Sequence, residues 1–190
     1  MTLAQPATQA GDVVVAPTAA GIGFRLVAAN GSVGFTVPPN WAVVSMKSSP
    51  PVAVAVFQIP NPADKGAPDS TNVAVSIFHL EAETARSARA GVGKPFGREA
   101  PVTSQYAGWT VYAQEAPQGS TTYRLMDAVR DLPVINAAVA VRLAWPRLAG
   151  NGAGYDADMI ATFHRLLDSV SSAPGPYSPR PGEIVRRPTD

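Results

Sequence analysis

The sequence contains no cysteine. That absence excludes disulfides, thiolate catalysis, cysteine-ligated zinc and iron–sulfur clusters. Histidine is nearly absent too. His79 and His164 are the two present, and they lack the paired spacing of a zinc hydrolase helix. Charged residues make up 15% of the chain, against about 25% in an average domain. Fifteen basic and 14 acidic side chains leave a net charge of +1, and no basic stripe is visible. Such a chain generates no field to draw in nucleic acid. No apolar run approaches the roughly 20 residues of a membrane-spanning helix. Phosphate-cradling and nucleophile motifs are missing as well. Gly21-Ile22-Gly23 lacks a third glycine and runs into a strand, while no G-x-S-x-G or Ser-x-x-Lys string occurs. Gly150–Gly154 does precede a helix, but Asp156 and Asp158 would repel an anion there.

What remains is a chain of 190 residues with 46% apolar content, enough to bury a core without staples. Its organisation reads as three parts. Residues 1–22 form an irregular lead-in with one strand-like burst at Val13-Val14-Val15, residues 23–171 form the domain, and residues 172–190 form a proline-rich tail. Five prolines from Pro174 to Pro188 are spaced too closely for helix or sheet, so the tail is expected to be extended or disordered. The first ten residues, MTLAQPATQA, lack the basic start and apolar centre of a signal peptide. The expectation is a mature exported protein, periplasmic or otherwise extracytoplasmic, whose leader has been removed. The alternative is a cytoplasmic protein.

Within the domain, Asn30-Gly31 signals a two-residue hairpin turn, which would pair Ala28 with Val33, Leu26 with Phe35 and Phe24 with Val37. All six are apolar and share one face; Arg25, Val27 and Gly34 fall on the other. Further strands are expected over residues 41–47, 52–59, 71–80, 109–115, 121–131 and 136–145. Glu81–Ala90 has the composition of a short helix, with acids early and arginines late. Residues 94–107 read as irregular. A final helix is expected with Asp156 as its N-cap and an apolar stripe of Met159, Ile160, Phe163, Leu166, Leu167 and Val170. His164, Arg165 and Asp168 lie toward its wetter side.

The string Gly34-Phe35-Thr36-Val37-Pro38-Pro39-Asn40-Trp41, the strand at Asn72–Phe78, the Gly108-Trp109 strand start and the closing helix together resemble the PsbP/Mog1-like superfamily, including DcrB/LpqN-type bacterial envelope proteins. The resemblance covers about residues 23–171. It implies an α+β fold, with an antiparallel sheet of about six to seven strands packed with helices in a sandwich. It also implies a protein-binding role with no shared catalytic set. Members of the envelope type carry a lipid anchor on a cysteine, which this chain does not have.

Candidate sites are few. Asp127 and Asp131 share a strand face, which suits either acid–base work or cross-strand ion pairs, and Arg124 and Arg130 point the other way. Trp41, Trp109 and Trp145 are each in phase with an apolar face, the position of core residues. The tail offers Tyr177, Arg180, Arg186 and Arg187, anchor types for an extended arm that binds a partner. The reading that follows is a non-enzymatic protein-binding module, an accessory subunit or immunity-type protein of a bacterial cell-envelope assembly. No cofactor or metal is expected, nor nucleic acid as partner. A small hydrolase with a dispersed Asp/His/Ser site and a carrier of a small apolar ligand are the alternatives.

Overall fold

The structure is a computed structural model and describes residues 7–49, 52–59, 72–79, 102–147 and 152–188. Three strands come first: β1 (Val13–Thr18), β2 (Gly21–Ala28) and β3 (Gly31–Val37). A second run follows, β4 (Ala42–Ser49), β5 (Val52–Gln58), β6 (Asn72–His79), β7 (Val102–Tyr106), β8 (Trp109–Gln118), β9 (Thr121–Leu132) and β10 (Ala137–Pro146). Helix α1 (Gly152–Ser169) comes next, and the tail adds β11 (Ser171–Pro174) and β12 (Ile184–Arg186). The strands form a five-stranded sheet in the order β11-β3-β2-β1-β12 and a seven-stranded sheet in the order β4-β5-β6-β10-β9-β8-β7. Their pairings are antiparallel.

This arrangement overturns the α+β expectation. The molecule is mostly β, and among the described residues α1 is the one α-helix. A seven-stranded sheet is present, but a second sheet packs on it together with a single helix. The second sheet escaped notice because it is built from the chain ends. The lead-in is regular from Val13, and β1 lies between β2 and β12 rather than at an edge. The tail's prolines leave just enough room for two short strands. Pro174 closes β11, and Pro176, Pro179 and Pro181 fall in the stretch between β11 and β12, where no ladder needs their N–H. The helix expected over Glu81–Ala90 lies outside the described residues. The stretch read as irregular over 94–107 carries β7 at its end.

The β2–β3 hairpin keeps its expected faces but not its expected register. Observed partners are Leu26 with Val33, Phe24 with Phe35 and Ile22 with Val37, so the turn is Ala29-Asn30. The slip is by two positions, and therefore every side chain stays on its side. Gly31 is needed for another reason. A Cβ there would stand 2.4 Å from the Ala173 carbonyl oxygen of β11 and 2.5 Å from Ile135 Cγ2. The glycine allows β11 and the 3₁₀ turn Pro133–Ile135 to close on the hairpin.

Phe24 and Phe35 meet the large sheet at Phe57 of β5, and Leu26, Val33 and Val37 belong to the same buried cluster. The Phe24 and Phe35 rings stand 5.0 and 5.9 Å from that of Phe57, both edge-on. Trp41, Trp109 and Trp145 are core residues, as their phase implies. Met159, Phe163, Leu166 and Leu167 of α1 join the same cluster, while Asp158, Arg165 and Asp168 face water. Asp156 is not an N-cap, because α1 starts one turn earlier. It is buried and accepts 2.8 Å from Trp145 Nε1 and 2.6 Å from Arg124 Nη1. A carboxylate that satisfies an indole N–H and an arginine fixes the helix against β9 and β10.

Candidate functional site

The tail folds onto the five-stranded sheet. β11 pairs with β3, and β12 pairs with β1 at the opposite edge. Five strands span about 19 Å from first to last. The nine residues 175–183 join those edges and reach that far with slack to spare. They end in Arg180-Pro181-Gly182-Glu183, where Glu183 N donates 3.1 Å to Arg180 O and Gly182 has φ +88°. Proline followed by glycine is the signature of a type II turn.

Along this crossing, Tyr177 meets the outward face of the sheet. Arg25 of β2 lies over its ring at 4.8 Å. The Tyr177 hydroxyl donates to both Glu183 oxygens at 2.8 Å, and its carbonyl accepts from the Thr8 hydroxyl. Glu183 also accepts from Arg180 N at 2.7 Å. Burial raises the Tyr177 phenol above its ordinary pKa, and the Glu183 carboxylate raises it further, against the opposing pull of Arg25 and Arg180. Beneath lies a groove of about 180 Å³. Its floor is the bare backbone of Gly23 and Gly34, and Arg25, Ser171, Tyr177 and Arg180 are among its walls.

The four residues singled out in the tail therefore have definite places. Tyr177 is half-buried and faces the chain's own Arg25 and Glu183. Arg180 is exposed at the groove rim. Arg186 is exposed on β12, the outermost strand of its sheet, beside Ile184, which is 56% exposed. Arg187 is exposed as well, although its Nε donates 3.2 Å to Asp12. Asp12 is buried and also accepts from Gln9 N at 2.9 Å. The structure thus brings Tyr177 and Arg180 together around Glu183 and sets Arg186 and Arg187 at the β12 edge.

Arg25, Gly34 and Ser171 were not anticipated as site residues. Nothing in the sequence marks Ser171, and for Arg25 and Gly34 only their shared hairpin face was available. On the polar side of the hairpin, an arginine and a glycine fall close together, and the glycine leaves the arginine somewhere to lie.

The acid pair resolves into an ion pair. Asp127, 2% exposed, lies directly across from Arg142 of β10 and accepts from its Nε and Nη2 at 2.6 and 2.7 Å. That fork raises the Arg142 pKa, against the opposing effect of burial. Asp131 is exposed. His164 stacks flat on Tyr106 at 4.1 Å, and the Tyr106 hydroxyl donates to Asp168 at 2.9 Å. Among the described residues no hydrogen bond joins His164 to Asp127. The side chain of His79 lies outside the described residues. A second groove, of about 320 Å³, is lined by Leu125, Met126, Trp145 and Ile160, with Gln114, Glu115 and Arg124 also in its walls.

No protein-family model matches this chain, and no curated protein matches it.

Proposed function

We propose that this protein is a non-enzymatic binding module of a bacterial cell-envelope assembly, and that the β12 edge is where it docks another protein. The observation that carries the reading is the pinned tail. An arm held at both sheet edges has already lost its conformational freedom, so a partner need not order it. Among the described residues its last strand is the outermost of the sheet, and it offers one exposed aliphatic side chain and the arginines Arg186 and Arg187, with Arg180 nearby. An extended acidic segment suits this surface: backbone pairing supplies affinity, and charge supplies specificity. The extracytoplasmic location is part of the same proposal.

The test is affinity capture from the native cells with the wild type and with an Arg180→Glu/Arg186→Glu variant. The expected result is a complex that weakens with salt and is lost in the variant, whose melting temperature is unchanged. A complex held equally by both proteins overturns the reading. The carrier alternative has its own supporting observation in the 320 Å³ groove, whose size is at the lower end for small-ligand sites.

A further inference from the structure

The last strand of the tail is attached to the sheet by few groups. β12 pairs with β1 over three residues, Val13 with Arg186, Val14 with Val185 and Val15 with Ile184. Its side chains run exposed, half-buried, exposed, so no fully buried apolar group anchors it. Pro17, two residues beyond this ladder, has no N–H with which to extend it. What the β1 edge requires of its occupant is charge. Asp12, immediately before β1, is 2% exposed, and Arg187, immediately after β12, donates to it at 3.2 Å. A buried carboxylate that loses its cation is costly, so the segment on this edge must carry an arginine just past its strand.

The arm that brings β12 there is long and stiff. Residues 175–183 carry no strand or helix, and Pro176, Pro179 and Pro181 are among them. Fully extended, nine residues reach about 30 Å, against the roughly 19 Å between the two sheet edges. The excess is taken up in the turn at Arg180–Glu183. A proline-rich spacer resists doubling back of this kind. Straightened, the arm carries β12 past its own β1 edge. A second copy of the chain offers the same three-residue ladder and the same Asp12.

We propose that two copies of this chain exchange β12, each tail docking on the β1 edge of the other. Register and charge choose the occupant. Among the described residues, Ile184 to Arg187 is the segment that satisfies both, and it makes the same contacts across two copies as within one. The exchange is reciprocal, so the dimer closes on a two-fold axis and leaves neither β1 edge open. Mass action sets when it forms. The tether holds β12 near its own edge at an effective concentration on the order of 1 mM. The exchanged form is therefore scarce at about 10 µM and substantial as the chain approaches about 1 mM. The inference goes beyond the docking reading. It concerns the border of β12 that faces β1, and it needs no charge on Arg180 or Arg186.

The test exploits the absence of cysteine. Val14 and Val185 stand directly opposite each other, where Cα atoms lie about 4.5–5.5 Å apart, within disulfide reach. A Val14→Cys/Val185→Cys chain is unfolded in urea, refolded under reduction at about 10 µM or about 1 mM, then oxidised and run on a non-reducing denaturing gel. The expected result is cross-linked monomer at the lower concentration and, at the higher, a covalent dimer at least about fivefold more abundant. The Val185→Cys single variant controls for cross-links made by collision. Cross-linked monomer alone at both concentrations, or a dimer matched by the single variant, overturns the proposal. Light scattering without engineered cysteines is the second measurement. The wild type should gain dimer between the two concentrations, and Arg187→Glu, which sets a second carboxylate beside Asp12, should weaken the dimer by about tenfold or more. A wild type that stays monomeric at about 1 mM, or an Arg187→Glu dimer as strong as the wild type's, overturns the proposal too. The Arg180→Glu/Arg186→Glu variant should exchange as the wild type does, so this idea and the docking reading fail separately.

Discussion

Two glycines three positions apart in β3 provide a controlled test of the tail's docking. Replacing either by alanine adds the same methyl and the same gain in unfolded-state order, about 0.4–1 kcal/mol in favour of the folded protein. What the methyl meets differs. At Gly31 it comes within 2.4 Å of the Ala173 backbone oxygen and 2.5 Å of Ile135 Cγ2. Neither can retreat cheaply, since Ala173 is in the β11 ladder and Ile135 is fully buried. Overpacking of this kind costs about 1–3 kcal/mol, and loosening of β11 adds to it. At Gly34 the nearest atom is the tip of the Arg25 side chain, 2.8 Å away, which can swing into the groove. The net effect there should lie within about 1 kcal/mol of zero. Urea denaturation of both variants, read as a change in midpoint at constant m, measures the difference. Equal stabilities, or Gly31→Ala as stable as the wild type, would refute the placement of β11 over Gly31.

Two further predictions follow from the same packing. Deleting residues 172–190 removes both flanking strands of the five-stranded sheet and leaves buried Asp12 without Arg187; a loss of at least about 2 kcal/mol, or roughly 4–8 °C in melting temperature, is expected by calorimetry. An unchanged melting temperature would mean that the tail is a free appendage. Trp145→Phe keeps an aromatic side chain but removes the donor to Asp156 and part of the buried indole volume, and should cost at least about 1–3 kcal/mol in chemical denaturation. A loss well below that range would place the Asp156 carboxylate elsewhere.

The core of this fold was legible because its signals are periodic. The α1 stripe from Met159 to Val170, the apolar phase of β10 and the tryptophans all fall where their spacing puts them. The hairpin faces were legible too, because parity survives a two-residue slip; the register was not, since Asn30-Gly31 looks like a turn whether the glycine serves the turn or serves β11. The five-stranded sheet was hidden for a related reason. Val13-Val14-Val15 has no alternation, and Ser171–Pro174 and Ile184–Arg186 are too short to carry a period. Asp156 was misplaced because an aspartate near a helix start signals a cap equally well when it is buried against Trp145 and Arg124. Of the groove, the arginines and Tyr177 were visible as residue types. Arg25 and Ser171 were not, because they become neighbours only when the far end of the chain pairs with β3.

That pairing has a consequence during synthesis. β1, β2 and β3 leave the ribosome early, but the segments that flank them are made more than 130 residues after β3 ends. Until then the nascent strands lack the partners for both borders, and closure depends on contacts very distant in sequence. Such a topology folds slowly and is vulnerable to aggregation while it waits.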